Sequence, residues 1–83
     1  MRLSSKKQGR VLEAALTHIS DPAIRRIAGK VVVIGKDVDD SRRWAGLEVS
    51  RIDDDDGVWW CDAVYLQTRR KDVVAYFGGA SDD

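Results

Sequence analysis

The spacing of apolar residues changes once along this 83-residue chain, and that change limits the fold to the α+β class. Val11, Leu12, Ala15, Leu16 and Ile19 recur at helical spacing, giving one buried stripe. From Lys30 the texture is β. Lys30-Val31-Val32-Val33-Ile34 is β-branched and too short for a helix, Leu47 to Ile52 alternates, and Val58 to Leu66 is rich in Trp, Tyr and Val. All six aromatic residues lie after position 43, so the two parts pack with different side chains.

Local signals place the ends of these elements. Ser5 followed by Gln8 fits a capping box at the start of the first helix. Asp21-Pro22 reads as an N-cap with proline at the first helical position, and Gly29 suits the C′ position, which predicts a second helix over 22–28. Asp53 to Gly57 is a turn by composition. Val73 to Phe77 has apolar pairs at i, i+4 with Gly78 following, but its β-branched and aromatic content favours a strand. The expectation is two N-terminal helices packed on one face of a four-stranded antiparallel β-meander. It forms a single domain over 1–78, with a disordered acidic tail over 79–83.

A register test extends this. If Ile52 faces Val58 across the aspartate turn, then Val49 faces Cys61, Leu47 faces Ala63 and Ala45 faces Tyr65. Through a turn at Arg69-Arg70-Lys71, Tyr65 then faces Ala75 and Ala63 faces Phe77, giving one coherent apolar face for the helices. The opposite face carries Trp44, Glu48, Ser50, Trp60, Asp62, Val64, Leu66, Val74 and Tyr76. A solvated sheet face is polar, so this half-apolar one marks an interface.

Charge divides at the same place. Residues 1–36 carry eight basic and two acidic side chains, and residues 37–83 carry six basic and twelve acidic. The formal charges are +6 and −6 within a neutral total, and each half projects its own field over about a Debye length, roughly 8–10 Å. One cysteine excludes an intramolecular disulfide, and one histidine beside it is too little for a zinc site, so no metal and no cofactor is expected. A core this small is helped by association. No stretch approaches the ~20 apolar residues that span a bilayer. Lys6 and Lys7 lead into polar residues rather than an apolar signal region, so a cytoplasmic setting and no membrane partner are expected.

Candidate sites are few. The run Asp53-Asp54-Asp55-Asp56 offers oxygen ligands, but a calcium loop ending at Gly57 needs an acidic residue at 52 and glutamate at 63, where the chain has Ile52 and Ala63. The run is therefore a charged hairpin tip or a surface for a basic partner. Glu48 and Asp62 pair across strands without a nucleophile, histidine or oxyanion donor beside them. Cys61 falls on the core face, and nothing links it to His18. Lys6, Lys7 and Arg10 share one helix face and Arg25-Arg26 form a second basic cluster, a candidate phosphate surface. Arg42-Arg43-Trp44 sets an aromatic beside charge, as single-strand stacking requires. Trp60 points away from the core and suits an interface anchor.

The function expected is non-enzymatic and without a small-molecule substrate: binding a partner protein with a basic surface, or a second copy as a homodimer. Trp44, Trp60, Val64, Leu66 and Tyr76 would form the centre of the surface, with Glu48, Asp54, Asp55, Asp56 and Asp62 as its acidic rim. Inhibitors, antitoxins, immunity proteins and phage-type anti-defence proteins work in this way. The alternative is a nucleic-acid-binding regulator using Lys6, Lys7, Arg10, Arg25 and Arg26.

Overall fold

The computed structural model describes residues 3, 5–52, 59–61 and 64–79, with backbone alone at 51–52 and 59–61. Helix α1 (Ser5–Ala15) is followed by strands β1 (Ile19–Ile27), β2 (Lys30–Asp37), β3 (Trp44–Ile52), β4 (Trp59–Cys61) and β5 (Tyr65–Gln67), and then by helix α2 (Arg70–Tyr76). The sheet order is β1-β2-β3-β4, with β5 also on β3, and every pairing is antiparallel. β5 lies along Trp44–Gly46 and β4 along Val49–Ile52. The two share the fourth position of a four-stranded sheet. The class is α+β, as the apolar spacing implies.

One helix precedes the sheet and the other follows it, and they cover opposite faces. Val11 and Ala15 of α1 pack with Ile19, Val31, Val33, Ala45, Leu47 and Val49. Val73, Val74 and Phe77 of the α2 segment pack with Ile27, Val32 and Ile34, flanked by Trp44 and Tyr65. This corrects the expectation of two N-terminal helices on one face. β2 is the shared layer, because Val31 to Ile34 are buried alternately in the two clusters. A continuous apolar run is the pattern of a strand covered on both sides.

The segment expected as a helix over 22–28 is the body of β1. Asp21-Pro22 marks a bulge: pairing shifts between Ser20 and Ala23, and Asp21 has φ +51°. Proline has no N–H to give a ladder, so such a residue belongs at a bulge on an edge strand. Gly29 is not a helix C′ residue. Ala28 (φ +51°) and Gly29 (φ +78°) form the two-residue turn between β1 and β2, and two successive positive φ values make a type I′ hairpin.

Val73 to Phe77, expected as a strand, belongs to α2 and its C-cap. The turn after the helix explains why. Gly78 has φ +95°, its N–H donates to Ala75 O at 3.0 Å, and the Gly79 N–H donates to Val74 O at 3.1 Å. This is the Schellman arrangement, which satisfies carbonyls that a helix end leaves open. Lys30 Nζ donates to Phe77 O at 3.1 Å, adding a cation at the negative end of the dipole. Gly79, assigned to the tail, is thus bonded into the helix end, and residues 80–83 lie outside the described residues.

The register also differs. Val49 faces Cys61 as expected, but Ile52 faces Trp59 and Ala45 faces Leu66. The irregularity falls between Val49 and Arg51. A slip of one residue exchanges faces, so Tyr65 lies on the α2 side and Leu66 on the α1 side, the reverse of the expected arrangement.

Candidate functional site

The two lateral edges of the sheet are built differently. On β1, Pro22 sits at a bulge in the pairing with β2, and Arg25 Nη1 donates to Ile24 O at 3.0 Å. Natural sheets blunt their edges by such means. The opposite edge is formed by β4 and β5. No described strand pairs with its outer side.

Exposed apolar side chains flank that second edge. Leu66 of β5 is 41% exposed, and Tyr76 of α2 is 49% exposed. The Tyr76 ring lies on Tyr65, with centroids 3.5 Å apart at 35°, and Phe77 packs edge-on to both at 5.7 and 5.2 Å. The half-buried Tyr65 therefore fixes Tyr76 from below. Leu66 stands on one side of β5 and the Tyr65–Tyr76 pair on the other.

Trp44 begins β3 on the α2 side, opposite Lys36 of β2 and Gln67 of β5. Lys36 Nζ sits 4.4 Å from the centre of its ring, a cation–π contact. The loop before Trp44 is held by charge. Asp37, only 7% exposed, accepts from Arg43 Nη2 at 3.0 Å and from the Asp39 N–H at 3.3 Å. Asp40 accepts from Arg42 Nε at 3.0 Å, Arg42 Nη2 at 3.1 Å and the Arg42 N–H at 3.0 Å. The Arg42 guanidinium, then the Arg42 N–H, and then the charge of Arg43 hold the Asp40 carboxyl below its ordinary value. At the start of α2, Arg69 Nε donates to Asp72 at 3.0 Å.

The residues expected to form one surface are spread along β3. Trp44 and Tyr76 belong to the α2 side, where Glu48 also lies, half-buried opposite Val32. Val64 packs partly buried in the α1-side cluster, and Leu66 is exposed on that side. Val74 is buried under α2 rather than presented outward. Trp60 belongs to β4 opposite Arg51, with its side chain outside the described set, and Asp54, Asp55, Asp56 and Asp62 lie outside the described residues. The aspartate run joins Ile52 to Trp59, which are themselves paired. Trp44 is eight residues from Ile52 along β3, about 26 Å at roughly 3.3 Å per residue.

The basic set is divided too. Lys6 and Arg10 are exposed on α1 and Lys7 is half-buried. Arg26 pairs with Val31 on the α1 side, whereas Arg25 pairs with Val32 on the other. His18 is exposed in the turn after α1, and its carbonyl accepts from the Val38 N–H at 3.0 Å. Among the described residues no group of three or more His, Cys, Asp or Glu is disposed to hold a metal, and no helix is long and apolar enough to cross a membrane. Sequence reasoning missed Tyr65 as the support for Tyr76 and Lys36 as the partner of Trp44. The i, i+4 spacing of Asp72 and Tyr76 with Val73 and Phe77 was the available signal for a helix placing Tyr76 on β5.

No family model matches the chain, and no curated protein or solved structure matches it either. The functional reading therefore stands on geometry alone.

Proposed function

We propose that this chain is a small non-enzymatic protein that acts by binding a partner protein, and that the β4–β5 edge is the centre of its binding surface. One observation carries the reading: the β1 edge is blunted, while the β5 edge is unpaired among the described residues and flanked by exposed Leu66 and Tyr76. An unpaired strand with apolar flanks offers main-chain hydrogen bonds for affinity and side chains for specificity. Tyrosine held by a neighbouring ring loses little freedom on binding, which suits an anchor.

The acidic rim expected from the sequence remains compatible with this centre. A standard interface covers about 800 Å² per partner, a patch about 30 Å across. One partner can therefore reach from Tyr76 to the Ile52–Trp59 end of the edge, where the sequence continues into the aspartate run that would contact basic groups as an inhibitor of a basic surface would.

The test is capture from the native host with wild-type chain and with Leu66→Asp and Tyr76→Ser. A specific partner that wild type retains and both variants lose supports the reading. A partner held equally by all three places the surface elsewhere.

A further inference from the structure

We infer that two copies of this chain pair through an antiparallel contact between their α1 helices. This surface is separate from the β4–β5 edge and does not rest on the reading of that edge. The fold gives no reason for Gly9. It lies inside an eleven-residue helix, where glycine is weaker than alanine. The position is exposed, and a Cβ built on it meets nothing within 4 Å. What a missing side chain permits there is close approach from outside.

The residues around Gly9 define what approaches. Ser5, Gly9, Leu12 and Leu16 follow one another at spacings of four, three and four, the seam of a heptad repeat. The Leu16 N–H donates to Leu12 O at 3.1 Å, so Leu16 keeps the helical register past Ala15. Val11 and Ala15, which pack on the sheet, belong to a different stripe. On the seam Leu12 is half-buried and Leu16 is 55% exposed, more than any other large apolar residue among those described. The seam thus has two small residues in its first half and two leucines in its second. Turned end over end about a two-fold axis, it matches itself. Leu16 of each copy meets Ser5 of the other, and Leu12 meets Gly9. A two-fold contact needs such a match, because both copies present the same patch. Parallel pairing would crowd leucine on leucine at one end and leave a gap over Gly9 at the other.

Charge selects the same arrangement. Lys6 and Glu13 flank the seam on one side, and both are exposed. Among the described residues neither has an ion-pair partner within the chain. In the antiparallel register Lys6 of each copy lies within a turn of the partner's Glu13, twice over, as charges flanking a helical seam pair between chains. The helix dipole acts in the same sense. The first turn holds Lys6 and Lys7 and no acid, so α1 is charged against its own positive end. Antiparallel pairing carries Lys6 to the negative end of the partner helix. Parallel pairing would gather the lysines of both copies together.

Sedimentation equilibrium of the full chain, from micromolar to millimolar, reads this directly, and a reversible dimer is expected. Leu16→Gln and Gly9→Gln should each raise its dissociation constant about tenfold or more, the first by removing the knob and the second by filling the hole. Where the chain is dilute and monomeric, Gly9→Gln should melt at a higher temperature than wild type, because a better helix former replaces glycine. Lys6→Glu should weaken the dimer, and Lys6→Glu with Glu13→Lys should restore it. Leu66→Asp and Tyr76→Ser should dimerise as wild type does, so the host capture experiment judges the β4–β5 edge alone. A chain that stays monomeric throughout overturns the inference. A dimer that is indifferent to Leu16→Gln and Gly9→Gln, or that is lost with Leu66→Asp, overturns α1 as its seat. A charge exchange that fails to restore association overturns the antiparallel two-fold.

Discussion

A Cβ on Gly46 would overlap Val73 Cγ1 and come within 3.0 Å of Phe77 Cε2. The seat of α2 on β3 therefore depends on a missing side chain. Replacing a strand glycine with alanine ordinarily helps through the unfolded state, but here crowding wins. Gly46→Ala is expected to cost about 1–3 kcal/mol, the usual range for overpacking, read by urea denaturation. Gly35→Ala should cost more. Its Cβ would meet Ile19 and lie 2.6 Å from Ser20 O, and a backbone oxygen cannot swing aside as a side chain can. Ala28 gives the opposite sign. It holds φ +51° in the two-residue turn, where the left-handed region costs a side chain roughly 1–2 kcal/mol and asparagine suits the type I′ position. Ala28→Asn should raise the melting temperature.

The elements differ in how plainly the sequence announces them. The body of α1 and the strand character of β2 and β3 follow from apolar spacing, because burial on a known face writes a period into the chain. β1 and α2 do not, since each carries a signal with two meanings. Asp-Pro opens a helix or interrupts an edge strand, and Gly29 ends a helix or turns a hairpin; only the pairing of Ile24 and Arg26 with Val33 and Val31 decides. Val73 to Phe77 has β-rich composition, but α2 is fixed by what surrounds it: Gly46 below, Lys30 at its end and Gly78 beyond. The candidate site was legible as residues and not as a surface. Leu66 and Tyr76 stood out as apolar positions, whereas the one-residue slip along β3 decided the side of Leu66 and the seat of α2 decided that of Tyr76.

A seven-residue helix is marginal in isolation, so α2 should be sensitive to its caps. Gly78→Ala forces a side chain into φ +95° and removes the Schellman turn at a cost of about 1 kcal/mol. Lys30→Met, which keeps the aliphatic stem and loses the bond to Phe77 O, should loosen the same end. Hydrogen exchange at the Gly78 and Gly79 amides measures both. In the β2–β3 loop, the Asp40 carboxyl is held below its ordinary value by Arg42. A depressed folded value means a contribution present above the unfolded pKa and lost as pH falls through the folded one. Asp40→Asn should accordingly lower stability slightly at neutral pH and flatten the acid limb of the stability profile by the same small amount, because the pair is solvent-screened.

For the whole molecule, the balance of +6 and −6 follows chain order and not the layers of the fold. Arg25 and Arg26 face opposite sides of the sheet, and Arg69 to Lys71 place cations at the end of β5 within the acidic half. What unites the molecule is β2, which lends Val33 to the core under α1 and Val32 to the core under α2, both fully buried. Two small cores on a common strand are expected to melt as one unit, since neither retains its floor when β2 leaves. Val32→Ala and Val33→Ala each remove buried methyl groups, at about 0.8 kcal/mol per buried carbon plus a cavity term. In a chain whose total stability is on the order of 4–12 kcal/mol, either loss is large. Both variants should shift far-ultraviolet and near-ultraviolet melts together to lower temperature, as single transitions. If Val32→Ala instead separated an early loss of aromatic signal from a later loss of backbone signal, the core beneath α2 would be an independent unit. The sheet would then be held by α1 alone.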